Sequence, residues 1–433
     1  MRERRGLMRQ NRTWAAAVGT ALLAIAPPSG IAADGSGLPA TEAFQQLSES
    51  LASDKKRGDW TAFLADAQRL RVFLNGSPTS VLEVARAQLE LGHTDAALNE
   101  ARHFVAMGQT HPILDSPLFR PVRSAIDSRL QSNAAALSIA RPAVPLSDPG
   151  LLPEDIDYDP RSKRFFVTSI LEHNIVALDA AGHSKVFADS PDHWPMMALK
   201  IDTARRRLWA TEVALDGFPD VASSDSGHSV ILEFGLDKGA LLAQYKGPPG
   251  SNLGDMALAH NGEPIVSDGN GGGVYRLHAG ALQRIDHGDF ISPQTIAICA
   301  GDRHAFVPDY VRGVAEFDLE TGAVTWLPME NRHALDGIDG LYCHGSSLIA
   351  VQNGTSPARV VAFALDPSKA AILQQTAIER ATSTLGAPTH GVIVDGAFFY
   401  IANSGWDAID EHGATKPSTR MTPAVIMRSV PPR

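Results

Sequence analysis

Cysteine is nearly absent from this chain of 433 residues, where only Cys299 and Cys343 occur. Two cysteines make neither a disulfide framework nor the Cys/His cluster of a structural zinc site, so a hydrophobic core has to hold the fold. The pair either forms one bridge, which an oxidising compartment would permit, or fills space as small buried side chains. Positive charge is also short. The chain has 38 basic against 48 acidic residues, a balance that disfavours nucleic acid or an anionic membrane as partner. Short catalytic signatures are missing as well: there is no G-x-S-x-G elbow, no phosphate-binding loop and no Rossmann fingerprint. Residues 268–276, DGNGGGVYR, are glycine-rich but sit between two apolar runs and read as a hairpin turn.

The basic residues that do occur are concentrated at the start. Arg2, Arg4, Arg5, Arg9 and Arg12 precede an apolar run over residues 14–26, too short to span a bilayer stably. Gly30, Ala32 and Ala33 then offer a small-residue cleavage site, so residues 1–33 read as a secretory signal peptide removed near Ala33. The Arg4-Arg5 pair is similar to a twin-arginine signal, which leaves both export routes open. No cysteine follows the apolar run to carry a lipid. The expectation is a periplasmic or secreted protein with no membrane anchor after cleavage. Losing five Arg and one Glu with the leader leaves 33 basic and 47 acidic residues, a net charge of −14.

Residues 40–135 read as an α-helical domain. Ala43, Phe44, Leu47 and Leu51 recur at helical spacing, and a second run follows the break at Arg57-Gly58. In residues 77–108, Ala85, Gly92, Ala97 and Ala101 stand where a tetratricopeptide repeat needs small residues for two antiparallel helices to pack closely. Pro78 suits a first turn and Gly92 a helix end. A closing helix follows, with Asp115 or Ser116 as N-cap and Pro117 just inside. Only one repeat matches fully, and solenoid repeats need neighbours. This tetratricopeptide-like domain is therefore expected to dock on the rest of the chain or to bind a peptide or protein partner.

From residue 136 onward the pattern changes to short strands. Residues 151–169, LLPEDIDYDPRSKRFFVTS, hold two apolar runs joined by a turn, the mark of an antiparallel hairpin. The same template recurs at residues 196–212, 253–268, 293–309, 338–353 and 389–404. Six copies at a spacing of about 40–50 residues predict a mainly β fold, a six-bladed β-propeller over residues 136–433 behind the helical domain. The last copy is followed by one more strand-like run, residues 424–430, and nothing that makes a fourth strand. The proline-bearing linker before the first copy is expected to fill that gap, with residues 137–144 pairing beside 424–430 and closing the ring.

Each hairpin enters and leaves on one face. The residues ahead of the inner strands, Glu154, Met197, Gly254, Gln294, Asp339 and His390, should therefore ring the mouth of the central channel. Ser169, Glu212, Asp268, Asp309, Asn353 and Asn403 end the second strands on the same face, and Asp155 and Asp255 stand one position inside. Carboxylate and amide oxygens are donors that a hard cation such as Ca²⁺ prefers. The same residues also suit a wet channel with capped strand ends.

The PEDIDYDP opening and its sixfold repetition resemble the regucalcin, gluconolactonase and luciferin-regenerating-enzyme group of six-bladed propellers, with strictosidine-synthase-like proteins more distant. The resemblance spans residues 151–430 and leaves out the helical domain. It implies one divalent cation, Ca²⁺ in that family's usual practice, held at the channel mouth by Glu154, Asp339 and, where the family has Asn-Gly, by Gln294 followed by Thr295. It further implies hydrolysis of a small lactone or ester, with Asp339 or His390 as the base. Glu212, Asp255, Asp268, Asn353 and Asn403 are then candidates for contacts to a small-molecule substrate. The other reading is a non-catalytic propeller that binds a glycan, a peptide or an envelope component; Gln294, Met197 and Gly254 favour it, while Glu154 and Asp339 favour the enzyme.

Overall fold

The structure is a computed structural model that describes residues 38–431, apart from 180, 300, 302, 330–332 and 367–370. The leader read at residues 1–33 lies outside the described residues. Four helices come first: α1 (Ala40–Arg57), α2 (Trp60–Phe73), α3 (Pro78–Glu90) and α4 (Thr94–Ala106). Their boundaries are chemical. The Asp59 carboxylate accepts from the Ala62 N–H to cap α2, and Ser77 caps α3 with Pro78 in the first turn. Ala85, Ala97 and Ala101 are fully buried, which lets α3 and α4 approach closely. Short helical turns follow, the last being Asp127–Ala134. Among the described residues no helix is long and apolar enough to cross a membrane.

Six antiparallel sheets follow, arranged as the blades of a propeller. Blade one is Pro153–Asp159, Arg164–Ser169, Asn174–Leu178 and Ser184–Asp189, in that order from axis to rim. Blades two, three, four and five repeat the meander from inner strands Met196–Asp202, Asp255–Leu258, Ala297–Ile298 and Gly340–His344. Blade six takes Gly391–Val394, Ala397–Ile401 and Val425–Ser429 from the C-terminal end, and its outer strand Arg141–Pro145 from before blade one. Pro142 and Pro145 fit there, because an outer strand leaves one row of N–H groups unused. Apolar layers between blades make the core; Ile156, Val167 and Val176 of blade one pack with Ile401 and Ile426 of blade six.

The linker is divided between two blades, which departs from the expected pairing of all of residues 137–144 with the last strand. Leu137 and Ser138 instead pair with Arg380 and Glu379, adding a fifth strand to blade five, and only Arg141–Pro145 meets Val425–Ser429. The cause is where the preceding helix ends. The Arg380 guanidinium donates to the carbonyls of Ser132 (2.8 Å) and Ala135 (3.1 Å), so the chain emerges against blade five before it crosses to blade six. Val144, buried and paired with Ile426, is the apolar peg of the closure. Val144→Asp places a carboxylate there without a partner, and a loss of about 3 kcal/mol or more is expected. A thermal melt beside Ala143→Asp, at a half-buried neighbour, checks it.

The two cysteines are bridged, with Cα atoms 5.4 Å apart, and join the inner strand of blade five to the end of the inner strand of blade four. The helices share a core with these same blades: Val81, Ala101, Phe104 and Leu114 pack with Val314, Leu327, Leu335 and Phe363. Polar pins reinforce the contact. The Ala40 N–H donates to the Gly288 carbonyl (2.8 Å), the Arg312 Nε to Phe73 (2.9 Å) and the Arg359 Nη1 to Met107 (3.2 Å). Residues 288, 312 and 359 lie in or beside loops on the face where second strands end. The helical segment therefore sits on the face that carries the channel mouth.

Candidate metal centre at the channel mouth

A local irregularity in blade one sets up the mouth. The register of its first two strands shifts between Pro153 and Ile156, a bulge that re-aims consecutive side chains. The Asp155 N–H, displaced from the ladder, is taken up by the Thr168 hydroxyl at 2.9 Å, and that hydroxyl donates to the Met197 carbonyl at 2.7 Å. Blade two repeats the device, with a shift between Met196 and Leu199 and the Ala198 N–H on the Thr211 hydroxyl at 3.0 Å.

Glu154, Asp339 and His390 come together there, each buried, with one donor atom apiece lying within 4.8 Å of the others. Trp406 Nε1 donates to Glu154 Oε2 at 2.6 Å. Asn353 Nδ2 donates to Asp339 Oδ2 at 2.7 Å, and Tyr310 in turn donates its hydroxyl to Asn353 Oδ1 at 2.9 Å. His390 is held from both sides. Its Nδ1 faces the Glu154 carbonyl at 2.9 Å, an oxygen that only accepts, so Nδ1 carries a proton. Its Nε2 meets Asp255 Oδ1 at 2.7 Å, and the Thr295 hydroxyl donates to the same oxygen at 2.5 Å. Deeper in the channel, Asp155 Oδ2 accepts from Lys200 Nζ at 2.6 Å and from the Leu199 N–H at 2.8 Å.

Burial and like charge dominate the electrostatics. Desolvation pushes the Glu154 carboxyl well above the usual carboxylate range, and the facing Asp339 pushes it further. Asp339 is raised by desolvation too, with Asp255 adding to it. Burial pulls His390 down, but Asp155, Asp339 and Asp255 outweigh it and hold the imidazole protonated well above its ordinary value. Both ring nitrogens are engaged, Nδ1 by the Glu154 carbonyl and Nε2 by Asp255 Oδ1, and the surrounding carboxylates favour the protonated ring. Glu154, Asp155, Asp255 and Asp339 thus meet two basic side chains, His390 and Lys200, and a divalent cation would relieve the mutual repulsion of Glu154 and Asp339. The residues fit such an ion: Glu154 and Asp339 are hard oxygen donors, each with only one oxygen in a side-chain hydrogen bond.

The other sequence-read positions divide clearly. Asp255 and Asn353 belong to the cluster. Gln294 is buried at the mouth and its amide nitrogen donates to the Ser292 carbonyl (3.2 Å) and hydroxyl (3.1 Å). Asp268 is occupied by the N–H groups of Asn252, Asn270 and Gly271, and Asp309 by those of Ile291, Ser292, Val311 and Arg312. Asn403 bridges Pro423 and Val425 (3.3 and 2.9 Å), and Glu212 takes the Ser190 hydroxyl. Each of the four is engaged by neighbouring loop groups, while Glu212 keeps one buried carboxylate oxygen, Oε1, without a hydrogen-bond partner. Reading the chain missed Lys200, Thr295, Tyr310 and Trp406. Thr295 is next to Gln294, a position that the template marks, and Lys200 lies three residues beyond Met197 on the same inner strand, so position along the inner strands was a usable signal for them. Trp406 lies in the loop after the sixth copy and had none.

Fold and mouth together define a six-bladed β-propeller with an acid-rich channel entrance, flanked by a helical segment. The sequence matches no protein-family model and no curated protein. Among solved structures, the chain is similar to a virginiamycin B lyase from Staphylococcus aureus, at 15% identity over 60% of this chain and 80% of that one, with a TM-score of 0.45. It is also similar to a gluconolactonase from Xanthomonas campestris (16% identity, 69% and 100% covered, TM-score 0.43). A calcium-binding regucalcin from Agrobacterium tumefaciens is a further neighbour (16% identity, 66% and 93% covered, TM-score 0.45). Likeness at this distance is one of architecture, and what the site does has to be argued from its own residues.

Proposed function

We propose that the chain is an exported, divalent-cation-dependent hydrolase of a small lactone or ester, with Ca²⁺ as the ion. The observation that carries this reading is the buried Glu154–Asp339–His390 group, in which two carboxyls face each other with donor atoms within 4.8 Å. Glu154 and Asp339 would hold the ion, with the Gln294 carboxamide oxygen as third donor. A divalent cation bound there supplies Lewis-acid polarisation of a carbonyl oxygen and a lowered pKa for water. The protein's own groups do the rest. Trp406 fixes Glu154, and Asn353 fixes Asp339 in one orientation as the base for a water molecule. His390, spent on Glu154 and Asp255, acts through charge and position, and the base role falls to Asp339 alone.

The test is hydrolysis of a panel of lactones by the full chain with Ca²⁺ and with a chelator. Turnover that vanishes with chelation and with Asp339→Ala, and survives Gln294→Asn, is the expected result; turnover indifferent to both overturns the reading. A second reading, the non-catalytic disc that binds a glycan, peptide or envelope component, draws support from the four mouth-face residues committed to loops and from the engaged His390. It gains if no lactone or ester is turned over. Export rests on the basic and apolar leader, and N-terminal sequencing of the mature protein is expected to begin near residue 34. A soluble product that retains Met1 would exclude it.

A further inference from the structure

A run of hydrogen bonds connects the helical segment to Asp339. The Met107 carbonyl, one residue past the end of α4, accepts from Arg359 Nη1 at 3.2 Å. Arg359 opens the third strand of blade five and stands opposite Gln352, which ends the second strand, Ser347–Gln352. Its Nε donates to Gln352 Oε1 at 2.7 Å, and both side chains are buried. The Gln352 amide nitrogen donates in turn to the carbonyls of Ala334 (3.0 Å) and Asp336 (2.8 Å). Those carbonyls belong to the chain that leads into Asp339. The residue after Gln352 is Asn353, whose amide holds Asp339 Oδ2.

A second contact runs beside the first. The Thr110 N–H donates to the Ser356 carbonyl at 2.5 Å, their hydroxyls lie 2.9 Å apart, and the Ser356 N–H donates to Gln109 Oε1 at 3.3 Å. Residues 107–110 thus grip the loop that joins the second and third strands of blade five. That loop touches the chain before Asp339 backbone to backbone. The Gly354 N–H donates to the Gly337 carbonyl at 3.1 Å, and a Cβ at Gly337 would lie 2.7 Å from the Gly354 carbonyl carbon. In packing this close, displacing one loop displaces the other.

We propose that the helical segment is a working part of the ion site, with Gln352 and Arg359 as positioning residues that set where Asp339 and Asn353 stand. The proposal rests on the cation-dependent reading of the mouth and adds the element that tunes its affinity. Neither side chain reaches the ion; both act through Asp339, as the hydrogen-bonded partners behind a metal ligand commonly do. Coupling of this kind is reciprocal. If residues 107–110 hold Asp339 in place, an ion on Asp339 holds residues 107–110. A helical segment that only covered the face would share stability with the propeller and leave the ion's affinity alone.

The test uses the full chain and reads the Ca²⁺ Kd by titration calorimetry beside the melting temperature in chelator. Gln352→Met keeps side-chain length without the amide, and is expected to raise the Kd about tenfold. Thr110→Val removes one hydroxyl at a half-buried site, a change the fold tolerates, and is expected to raise it about threefold. In the wild type, Ca²⁺ is expected to slow hydrogen exchange at the Thr110 amide more than at the amides in the middle of α2. An unchanged Kd in both variants, even with a lower melt in chelator, assigns these residues a purely structural role. That result, or exchange slowed equally throughout the helices, overturns the proposal and leaves the ion reading standing. A wild type that takes up none of Ca²⁺, Mg²⁺ and Mn²⁺ overturns the two together.

Discussion

Asp339→Asn is expected to abolish the rise in melting temperature that Ca²⁺ gives the wild-type protein, and to reverse sign when the ion is withheld. Binding to the folded state alone adds about 2.7 kcal/mol at a free cation concentration 100 times the Kd. At roughly 2 °C per kcal/mol for a chain of this size, that is a shift of about 5 °C. In chelator the same substitution removes one of two mutually repelling buried carboxylates, so the variant is expected to melt at or above the wild type. The pH dependence follows with a definite sign. Glu154, Asp339 and His390 all have folded pKa values raised above their unfolded ones. A group raised in this way contributes stability that is full below the unfolded pKa and is lost as pH rises through the folded one. The chelated wild type should therefore melt lower at pH 8 than at pH 6, and saturating Ca²⁺ should flatten that slope. A melt indifferent to millimolar Ca²⁺, Mg²⁺ and Mn²⁺ at both pH values would remove the ion from the account.

Arg312→Ala is expected to cost about 4 kcal/mol and to loosen the helical segment from the propeller. Arg312 is 4% exposed. Its guanidinium lies 4.5 Å from the Phe73 ring and 4.6 Å from the Trp326 ring, and it donates to the carbonyls of Phe73 and Asp289. Truncation leaves a buried carbonyl (Phe73) and a half-buried one (Asp289) short of a donor and removes a desolvated cation from between two aromatic faces. Arg312→Lys should rescue little, because an ammonium neither stacks as a plane nor forks to two carbonyls. The measurement pairs a thermal melt with limited proteolysis. Cleavage within residues 74–110 that accelerates in the variant marks release of α3 and α4, whereas a wild-type digestion pattern would show that the pin is dispensable.

The six blades were legible because each hairpin repeats one sequence template, with a polar residue at the mouth and apolar runs of fixed length. Glu154, Asp339 and His390 were legible for the same reason. The linker was harder. Leu137 and Val144 look alike as β-prone residues, and what separates them is Arg380, which catches the end of the preceding helix 245 positions away in sequence. Lys200 and Thr295 were hidden by role, since neither stands at the template's marked position, yet each completes a carboxylate. Trp406 was hidden by distance: its partner Glu154 is 252 positions earlier, and a tryptophan in a polar loop gives no periodicity to read. What surrounds His390 was also out of view: the contacts of its ring to the Glu154 carbonyl and to Asp255 join residues 236 and 135 positions apart in sequence.

The outer strand of blade six is made early and its partner almost last: Val144 waits for Ile426, 282 positions further on. Pairings across such separations form slowly, and this one is not available until nearly the whole chain exists. The ring therefore acts as a length gauge. A chain that stops short of Val425–Ser429 leaves the second strand of blade six and the strand Arg141–Pro145 with unpaired edges on either side of one gap. Open edges of that kind recruit other chains. A prematurely ended product should thus be sorted into aggregates or proteolysis rather than accumulate as a smaller propeller, even though it would carry Glu154, Asp339 and His390 intact.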